Sequence, residues 1–255
     1  MMTRQMIKYN YKKEIPRWIK MLKIFRNADT TKRYTEISLK SNEKFGEITK
    51  LEDFENIVSG EYYGGAQEWY RLDREERKWN GKKAEKASNS GCGFVSIANC
   101  FAYQNYHNKG ESSSKEDFLK LMTDIFDFKG KVFLKFGLFE SGLRKTVRNF
   151  SKHTGYSVKF EKASFFSDKP EFIKENLKNK RPVILLFGWG KGLPFTEHWV
   201  TVTEIYEIRD IENNEILDHI ITVSSWGKKY YFRFSETEKW IFNAYISLVF
   251  QKNGK

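Results

Sequence analysis

The hydrophobic pattern of the chain changes from a helical period to a strand period near residue 181. Before it, apolar side chains recur every three or four residues in four segments, at 92–106, 114–128, 139–155 and 169–180. After it come five segments that are rich in β-branched and aromatic residues and mostly alternate, PVILLFGW, HWVTVTEIYEI, HIITVSSW, KKYYFRF and NAYISLVF. Helices that precede a run of strands indicate an α+β fold with an antiparallel sheet.

The composition supports one sizeable core and argues against two classes of protein. The 255 residues are 40% hydrophobic and 16% aromatic, far more than a disordered chain carries. No segment approaches the roughly 18 uninterrupted apolar residues of a membrane span, and the basic start of the chain lacks the apolar core of a secretory signal. We therefore expect a cytoplasmic protein, with export by another route left open.

The charge is strongly basic, with 45 Lys and Arg against 33 Asp and Glu and a net charge of +12. Residues 1–40 carry 11 basic and 3 acidic side chains, so most of the excess lies in an N-terminal arm that can contact an acidic partner or an anionic surface. Residues 11–27 are predicted to be an amphipathic helix, packed on the body or bound to a membrane or partner. Nucleic acid is a disfavoured partner, because the helix at 116–127 carries acidic residues that repel phosphates.

Both cysteines lie in one segment, NSGCGFVSIANCFAY, and only Cys92 has the surroundings of a reactive thiol. If the segment is helical, Cys92 and Cys100 are about 12 Å apart along the axis, too far for a disulfide. Cys92 is predicted at the helix N-terminus, where free N–H groups and the helix dipole lower the pKa of a thiol. Gly91 and Gly93 allow a tight turn and the close approach of a substrate backbone. Cys100 has the apolar neighbours of a packed core thiol.

A nucleophilic cysteine needs a base, and His198 is the best placed of the four histidines. It opens the predicted strand HWVTVTEIYEI directly after the loop GWGKGLPFTE, at the mouth of a cleft. His107 and His153 lie in polar contexts late in helices, and His219 begins another apolar strand. That His198 is purely structural stays open at this point. The scattered cysteines and histidines lack the spacing of a zinc site, so no metal or cofactor is expected.

Three segments, taken in order, resemble the papain-like cysteine peptidase superfamily in its short bacterial versions: GCGFVSIANC, HWVTVTEI and VSSWGKKYYFRF. In this family a cysteine begins a helix, a histidine opens a strand, and an Asn-Ser-Trp-Gly segment precedes a Tyr-rich strand. The first two features are similar also to the peptidase domains of bacteriocin-processing transporters. The resemblance covers residues 90–250 at most. It implies a papain-like fold, in which the nucleophile helix packs on a C-terminal antiparallel sheet.

The resemblance divides the chain into two parts and implies a catalytic dyad or triad. We expect residues 1–85 to be a basic N-terminal extension and residues 86–255 to be the papain-like cysteine peptidase domain. Whether the extension is a cover, a partner-binding arm or part of the fold stays open at this point. Cys92 and His198 are the implied nucleophile and base. Ser224 stands where the family has the asparagine that orients the histidine.

The third catalytic position has two further interpretations. Alternation along ITVSSWG could turn Ser224 away and bring Ser225 to the histidine, and a vacant position would leave a dyad. In either case Trp226 matches the family tryptophan, which implies that it shields the histidine hydrogen bond from water.

The second donor of the oxyanion hole is the other departure from the family. The family uses a glutamine six residues before the cysteine, and Lys86 stands there. Asn89 and Gln67, the latter in YYGGAQEWY, are the candidates that remain. We prefer Gln67, because residues 71–88 look like an insertion between an ordered loop and the nucleophile.

The expected function is a papain-like thiol hydrolase that cleaves a peptide or isopeptide bond in a protein or peptide substrate. The same Cys92 and His198 can serve an acyltransferase or a deamidase, since the acceptor depends on the cleft. A catalytically inactive papain-like binding module is the third interpretation, because Ser224 replaces the family asparagine.

Overall fold

The computed structural model describes residues 34–74, 81–128, 138–188, 195, 197–237 and 243–252. The helix predicted over residues 11–27 lies outside this part of the chain. The described residues form a mixed α+β structure in which helices pack on an antiparallel sheet, so the predicted α+β layout is confirmed.

The described strands join into one antiparallel sheet of seven strands. They are β1 Glu43–Lys50, β2 Tyr156–Lys162, β3 Val183–Phe187, β4 His198–Asp210, β5 Ile216–Ser225, β6 Lys228–Arg233 and β7 Ala244–Lys252. Their order across the sheet is β2-β7-β3-β4-β5-β6, with β1 also paired to β4. The long β4 holds two partners on one edge, because its first half pairs with β3 and its second half with β1.

The strand registers bring several chain segments to the same end of the sheet. His198 pairs with Phe187, so β4 begins where β3 ends. Thr201 pairs with Ser224, and β2 ends beside the start of β7. We call this the His198 end of the sheet. Because all neighbours are antiparallel, the ends of β2, β3 and β5 and the beginnings of β4, β6 and β7 meet there.

A central helix carries both cysteines and lies between the sheet and other helices. The helices are α1 Gly81–Ser90, α2 Cys92–Lys109, α3 Lys115–Asp127, α4 Glu140–Ser151, α5 Lys169–Lys178 and the short α6 Phe234–Thr237. Every residue of α2 from Cys92 to Tyr103 is buried, and the helix packs on β4, α3 and α4. A helix that is covered on all sides needs apolar residues all round, which explains the segment GFVSIANCFAY. Each of the described helices is too short or too polar to cross a lipid bilayer.

The helix ends follow from capping residues in the sequence. Ser114 accepts a hydrogen bond from the N–H of Asp117 at 3.0 Å and starts α3. Asp168 caps α5 in the same way, with a proline in the first turn. Gly110 ends α2 with φ of 72°, a left-handed conformation that suits glycine.

Residues 34–74, which the sequence analysis placed in the extension, share the sheet and core of the rest. β1 pairs along the second half of β4, and the N–H of Leu51 donates to the carbonyl of Thr203 at 2.9 Å. The ring of Tyr34 stacks on Phe232 of β6 with centroids 4.9 Å apart. The sequence analysis did not predict β1, nor α1, β2 and the short α6.

Candidate active site

His198 and Ser225 meet at the His198 end of the sheet, where β4 begins and β5 ends. The Nε2 of His198 and the hydroxyl oxygen of Ser225 are 2.8 Å apart, within hydrogen-bond distance. Both residues are buried. Because Nε2 is occupied by Ser225, Nδ1 is the ring nitrogen left to accept a proton.

Two aromatic rings pack against the imidazole of His198 and keep water from it. The Phe195 ring stacks on it at 5.1 Å with an interplanar angle of 12°, and the Trp226 ring lies at 4.7 Å. Burial lowers the pKa of His198 from 6.5 to about 3. The imidazole is therefore neutral at pH 7, which is the form that can accept a proton.

Trp226 reaches the imidazole from a strained turn. Trp226 and Gly227 form the two-residue connection of β5 and β6, and both have positive φ, 50° and 70°. Left-handed backbone suits glycine but costs a side chain such as tryptophan about 1–2 kcal/mol. The loop at residues 63–65 holds the turn: the N–H of Gly227 donates to Gly65, and the N–H of Tyr63 donates to Gly227. The strained residue is the one that covers His198, as is common at functional sites.

The Cys92 thiol lies beside the start of β4. Cys92 is the first residue of α2 and is 7% exposed. The backbone N–H groups of Trp199 and Gly93 lie close enough to the thiol to lower its pKa. The Trp199 side chain packs at Gly93 of α2. Because successive side chains of a strand point to opposite faces, the imidazole of His198 is directed to the face of the sheet away from α2, together with Ser225.

Close packing explains both glycines that flank Cys92. A Cβ at Gly91 would collide with the Ala87 carbonyl and lie 2.7 Å from the Tyr70 ring. A Cβ at Gly93 would lie 2.9 Å from the Leu138 side chain. The sequence analysis assigned these glycines to substrate approach, but the neighbouring side chains and backbone already require them.

Burial, and not the helix N-terminus, dominates the pKa of Cys92. Burial raises the pKa of the thiol from 9.0 to about 11, although the nearby backbone N–H groups of Trp199 and Gly93 lower it. This rise corresponds to about 3 kcal/mol, whereas a helix dipole contributes typically 0.3–1 kcal/mol. The expectation of a lowered pKa is therefore wrong. The pair at pH 7 is a neutral thiol and a neutral imidazole.

Ser224 does not contact His198. Its hydroxyl donates to the carbonyl of Tyr63 at 2.6 Å and accepts from the Nδ2 of Asn99 at 3.3 Å. Successive side chains of a strand point to opposite faces, so the residue after Ser224 turns to the histidine. The contact expected of Ser224 is thus made by Ser225, the alternative that alternation left open.

Asn99 is a site residue that the sequence analysis missed. It is buried in α2, where its Oδ1 accepts from the N–H of Gly65 at 2.9 Å and its Nδ2 donates to Thr201 at 2.9 Å. Together with Ser224, it ties the loop at residues 63–65 to α2 and the sheet. A lone asparagine among the apolar residues of SIANCFAY was the available signal.

The two candidates for the second oxyanion donor differ in position. Gln67 begins a 3₁₀ segment, Gln67–Arg74, and Tyr70 follows one turn later. Residues three apart eclipse in such a helix, so Gln67 lies on the same side as Tyr70, whose ring packs by Gly91. Within the described part of the chain, the buried Oε1 of Gln67 has no hydrogen-bond partner.

Asn89, by contrast, is turned to solvent. Its side chain is exposed, and its Oδ1 accepts from the guanidinium of Arg71 at 3.3 Å. Of the two amides, Gln67 is therefore the one on the side of the nucleophile.

Cys100 is a core thiol, as the sequence suggested. It lies two turns after Cys92 on α2, is fully buried, and burial raises its pKa well above its ordinary value. Both cysteines are free thiols.

Comparisons with known proteins do not assign the chain to a family. No protein-family model matches it, and a search of curated proteins gives no match either. The geometry of the site is therefore the basis for a functional proposal.

Proposed function

We propose that the chain is a papain-like thiol hydrolase that cleaves peptide or isopeptide bonds, with Cys92 as nucleophile, His198 as base and Ser225 as the residue that orients the base. One observation carries the proposal. The Trp199 side chain packs at Gly93 beside Cys92, so the thiol lies next to the start of the strand that His198 opens, and Nε2 of this histidine is 2.8 Å from Ser225. The order cysteine on a helix start, histidine on a strand start and polar residue on the next strand end agrees with the resemblance.

The chemistry starts from the neutral pair. Nδ1 of His198 takes the thiol proton as the sulfur attacks the substrate carbonyl, so the tetrahedral oxyanion and the imidazolium arise together. The imidazolium then gives this proton to the leaving amine, and an acyl-enzyme remains. Water, deprotonated by His198, attacks the thioester and releases the acid and the thiol. Because Nδ1 must be free to accept, Nε2 carries the hydrogen and donates it to Ser225.

The oxyanion of the tetrahedral intermediate requires donors at the start of α2. The N–H of Cys92 is one of the first N–H groups of a helix, which lack intrahelical partners. The side-chain amide of Gln67 is the proposed second donor, because it lies on the Tyr70 side of its 3₁₀ segment, toward Gly91.

An inactive binding module is the competing function, and three observations favour it. The raised pKa of Cys92 disfavours a resting thiolate, and a serine takes the place of the family asparagine. Strand alternation also directs His198 away from α2, which Trp199 and Ser224 contact instead. Cleavage assays separate it from the hydrolase.

The experiment is digestion of a mixed decapeptide library at pH 7, with new peptide termini identified by mass spectrometry. Wild type and Cys100→Ala are expected to produce the same cleavages, and Cys92→Ala none. Because Cys100 is also a buried thiol on the same helix, it is the matched control. No Cys92-dependent cleavage by folded wild type would count against the hydrolase and favour the binding module. Cys92-dependent transfer of an acyl group to an added amine would indicate the acyltransferase.

A further inference from the structure

Two neighbouring phenylalanines are almost fully exposed in the loop after β2. Phe165 is 90% exposed and Phe166 is 94% exposed. Their rings contact each other edge to face, with centroids 5.2 Å apart. Two such rings present roughly 300–500 Å² of apolar surface. Single exposed apolar residues are ordinary, but a contiguous patch of this size marks an interaction site.

The loop that carries these rings has a defined shape. The ammonium of Lys169 donates hydrogen bonds to the carbonyls of Ser164, Phe165 and Ser167, the latter two at 3.0 and 2.8 Å. Asp168 in turn caps the start of α5. One cation thus gathers three carbonyls of the loop, and the two rings are held outward by an ordered backbone.

The loop lies at the His198 end of the sheet. The N–H of Ala163, which follows β2, donates to the carbonyl of Tyr245 in β7 at 3.1 Å. In the strand order, β7 and β3 separate β2 from β4, where His198 begins the strand. Three strand spacings of ~4.8 Å amount to about 14 Å, a distance that an extended peptide covers in about four to five residues.

A third exposed ring, that of Phe139, follows directly after a side chain that packs beside the nucleophile. Phe139 is 57% exposed, and the residue before it, Leu138, packs against Gly93 beside Cys92. On its other side, Glu140 at the start of α4 forms an ion pair of 2.6 Å with Lys162 at the end of β2. We call Phe139, Phe165 and Phe166 the aromatic rim. The contact of Leu138 with Gly93 and the ion pair of Glu140 with Lys162 place Phe139 between the start of α2 and the end of β2.

We propose that the aromatic rim binds an apolar, aromatic-containing segment of a polypeptide substrate, about four to five residues from the bond that Cys92 attacks. This inference rests on the proposed function and names its substrate class. A polypeptide fits better than a membrane or a second copy of the chain, because Phe139 directly follows Leu138, which packs at Gly93 beside the thiol.

The test is binding of fluorescein-labelled dodecapeptides, followed by fluorescence anisotropy, to protein that carries Cys92→Ala and cannot turn them over. One peptide is a Gly/Ser sequence with a central Phe-Phe-Leu block, and its partner has serines in that block. The aromatic peptide is expected to bind, and Phe165→Ser with Phe166→Ser to weaken it by about tenfold or more. Phe45→Ser is the matched control, because Phe45 is 45% exposed and pairs with Ile208, about 33 Å along β4 from His198.

Three results would overturn the proposal. One is equal affinity of both peptides, or of the double variant and its parent. Another is that the double variant loses affinity for phosphatidylcholine/phosphatidylglycerol vesicles while peptide binding is unchanged. The third is that it dissociates a dimer of the parent in analytical ultracentrifugation, again with peptide binding unchanged. Because the assay uses protein without the Cys92 thiol, failure of peptide binding is distinct from absence of Cys92-dependent cleavage.

Discussion

At the scale of single residues, a short side chain orients the base of the proposed site. The hydroxyl of Ser225 reaches Nε2 of His198 at 2.8 Å because β5 ends opposite the start of β4. A neutral hydrogen bond of this kind contributes about 1 kcal/mol, and about 1.5–3 kcal/mol when the imidazole becomes charged. The difference favours the charged intermediate, so Ser225 contributes to turnover more than to stability.

Ser225→Ala is expected to slow Cys92-dependent peptide cleavage by roughly tenfold to a hundredfold, since each 1.36 kcal/mol is a factor of ten. Ser224→Ala is the matched control. Its hydroxyl bonds Tyr63 and Asn99 instead of His198, so it is expected to change the cleavage rate less. The measurement is the initial rate of cleavage of one peptide by wild type and by each of the two serine variants. A full rate in Ser225→Ala would leave a dyad with a vacant third position.

His198 also makes stability depend on pH. Its pKa is about 3 in the folded chain and close to the ordinary 6.5 when unfolded, so the unfolded chain binds more protons between these values. Stability is therefore lost as pH falls from 6.5 to 3, by about 5 kcal/mol at most from this residue. His198→Gln removes this contribution. Urea unfolding of both proteins from pH 7 to pH 4 tests it, and parallel pH curves would contradict the buried neutral imidazole.

At the scale of elements, patterns that reflect burial were predictable and those that reflect backbone pairing alone were not. The helix at Cys92 and the strand at His198 have strong apolar patterns because they form the core. β1 pairs along β4 with Phe45 and Ile48 still about half exposed, so its side chains carry no clear alternation. α1 buries only small residues.

Part of the candidate site could be predicted from the sequence. The positions of Cys92 and His198 could be predicted, because each lies at the start of an element with a clear apolar pattern. The choice between Ser224 and Ser225 depends on where β5 ends in register, and the pKa of Cys92 depends on burial from several elements. Both the serine that bonds His198 and the pKa of Cys92 are set by tertiary contacts, which a local sequence pattern does not predict.

The loop that carries Gln67 depends on Asn99. Asn99→Ala leaves the buried N–H of Gly65 without its acceptor and is expected to cost about 1–3 kcal/mol of unfolding free energy. Thr201→Val is the milder comparison, because Asn99 then loses one acceptor but still bonds Gly65. Chemical denaturation measures both variants. Equal stability of Asn99→Ala and wild type would contradict this role.

At the scale of the whole molecule, the N-terminal part of the described chain completes the fold. β1 covers the second half of β4, and the loop at residues 63–65 holds the turn above His198. The sheet, core and site therefore depend on residues before the nucleophile helix as well as after it.

Deletion of residues 1–85 is expected to abolish cooperative unfolding, because it exposes the edge of β4 and removes Tyr63, Gly65 and Gln67 from the site. Scanning calorimetry of the truncated and full chains is the measurement. A cooperative transition within a few degrees of that of the full chain would show that residues 86–255 fold alone.

The central claim is that His198 activates Cys92. The most direct measurement is the second-order rate of Cys92 alkylation by iodoacetamide at pH 7, followed by mass spectrometry in wild type and His198→Ala. A thiol with a pKa of about 11 reacts slowly without a base, and a positioned general base contributes about 10²–10⁴-fold. The account predicts labelling of Cys92 about a hundredfold faster in wild type than in His198→Ala, with Cys100 unlabelled in both. Equal Cys92 rates in the two proteins would contradict it.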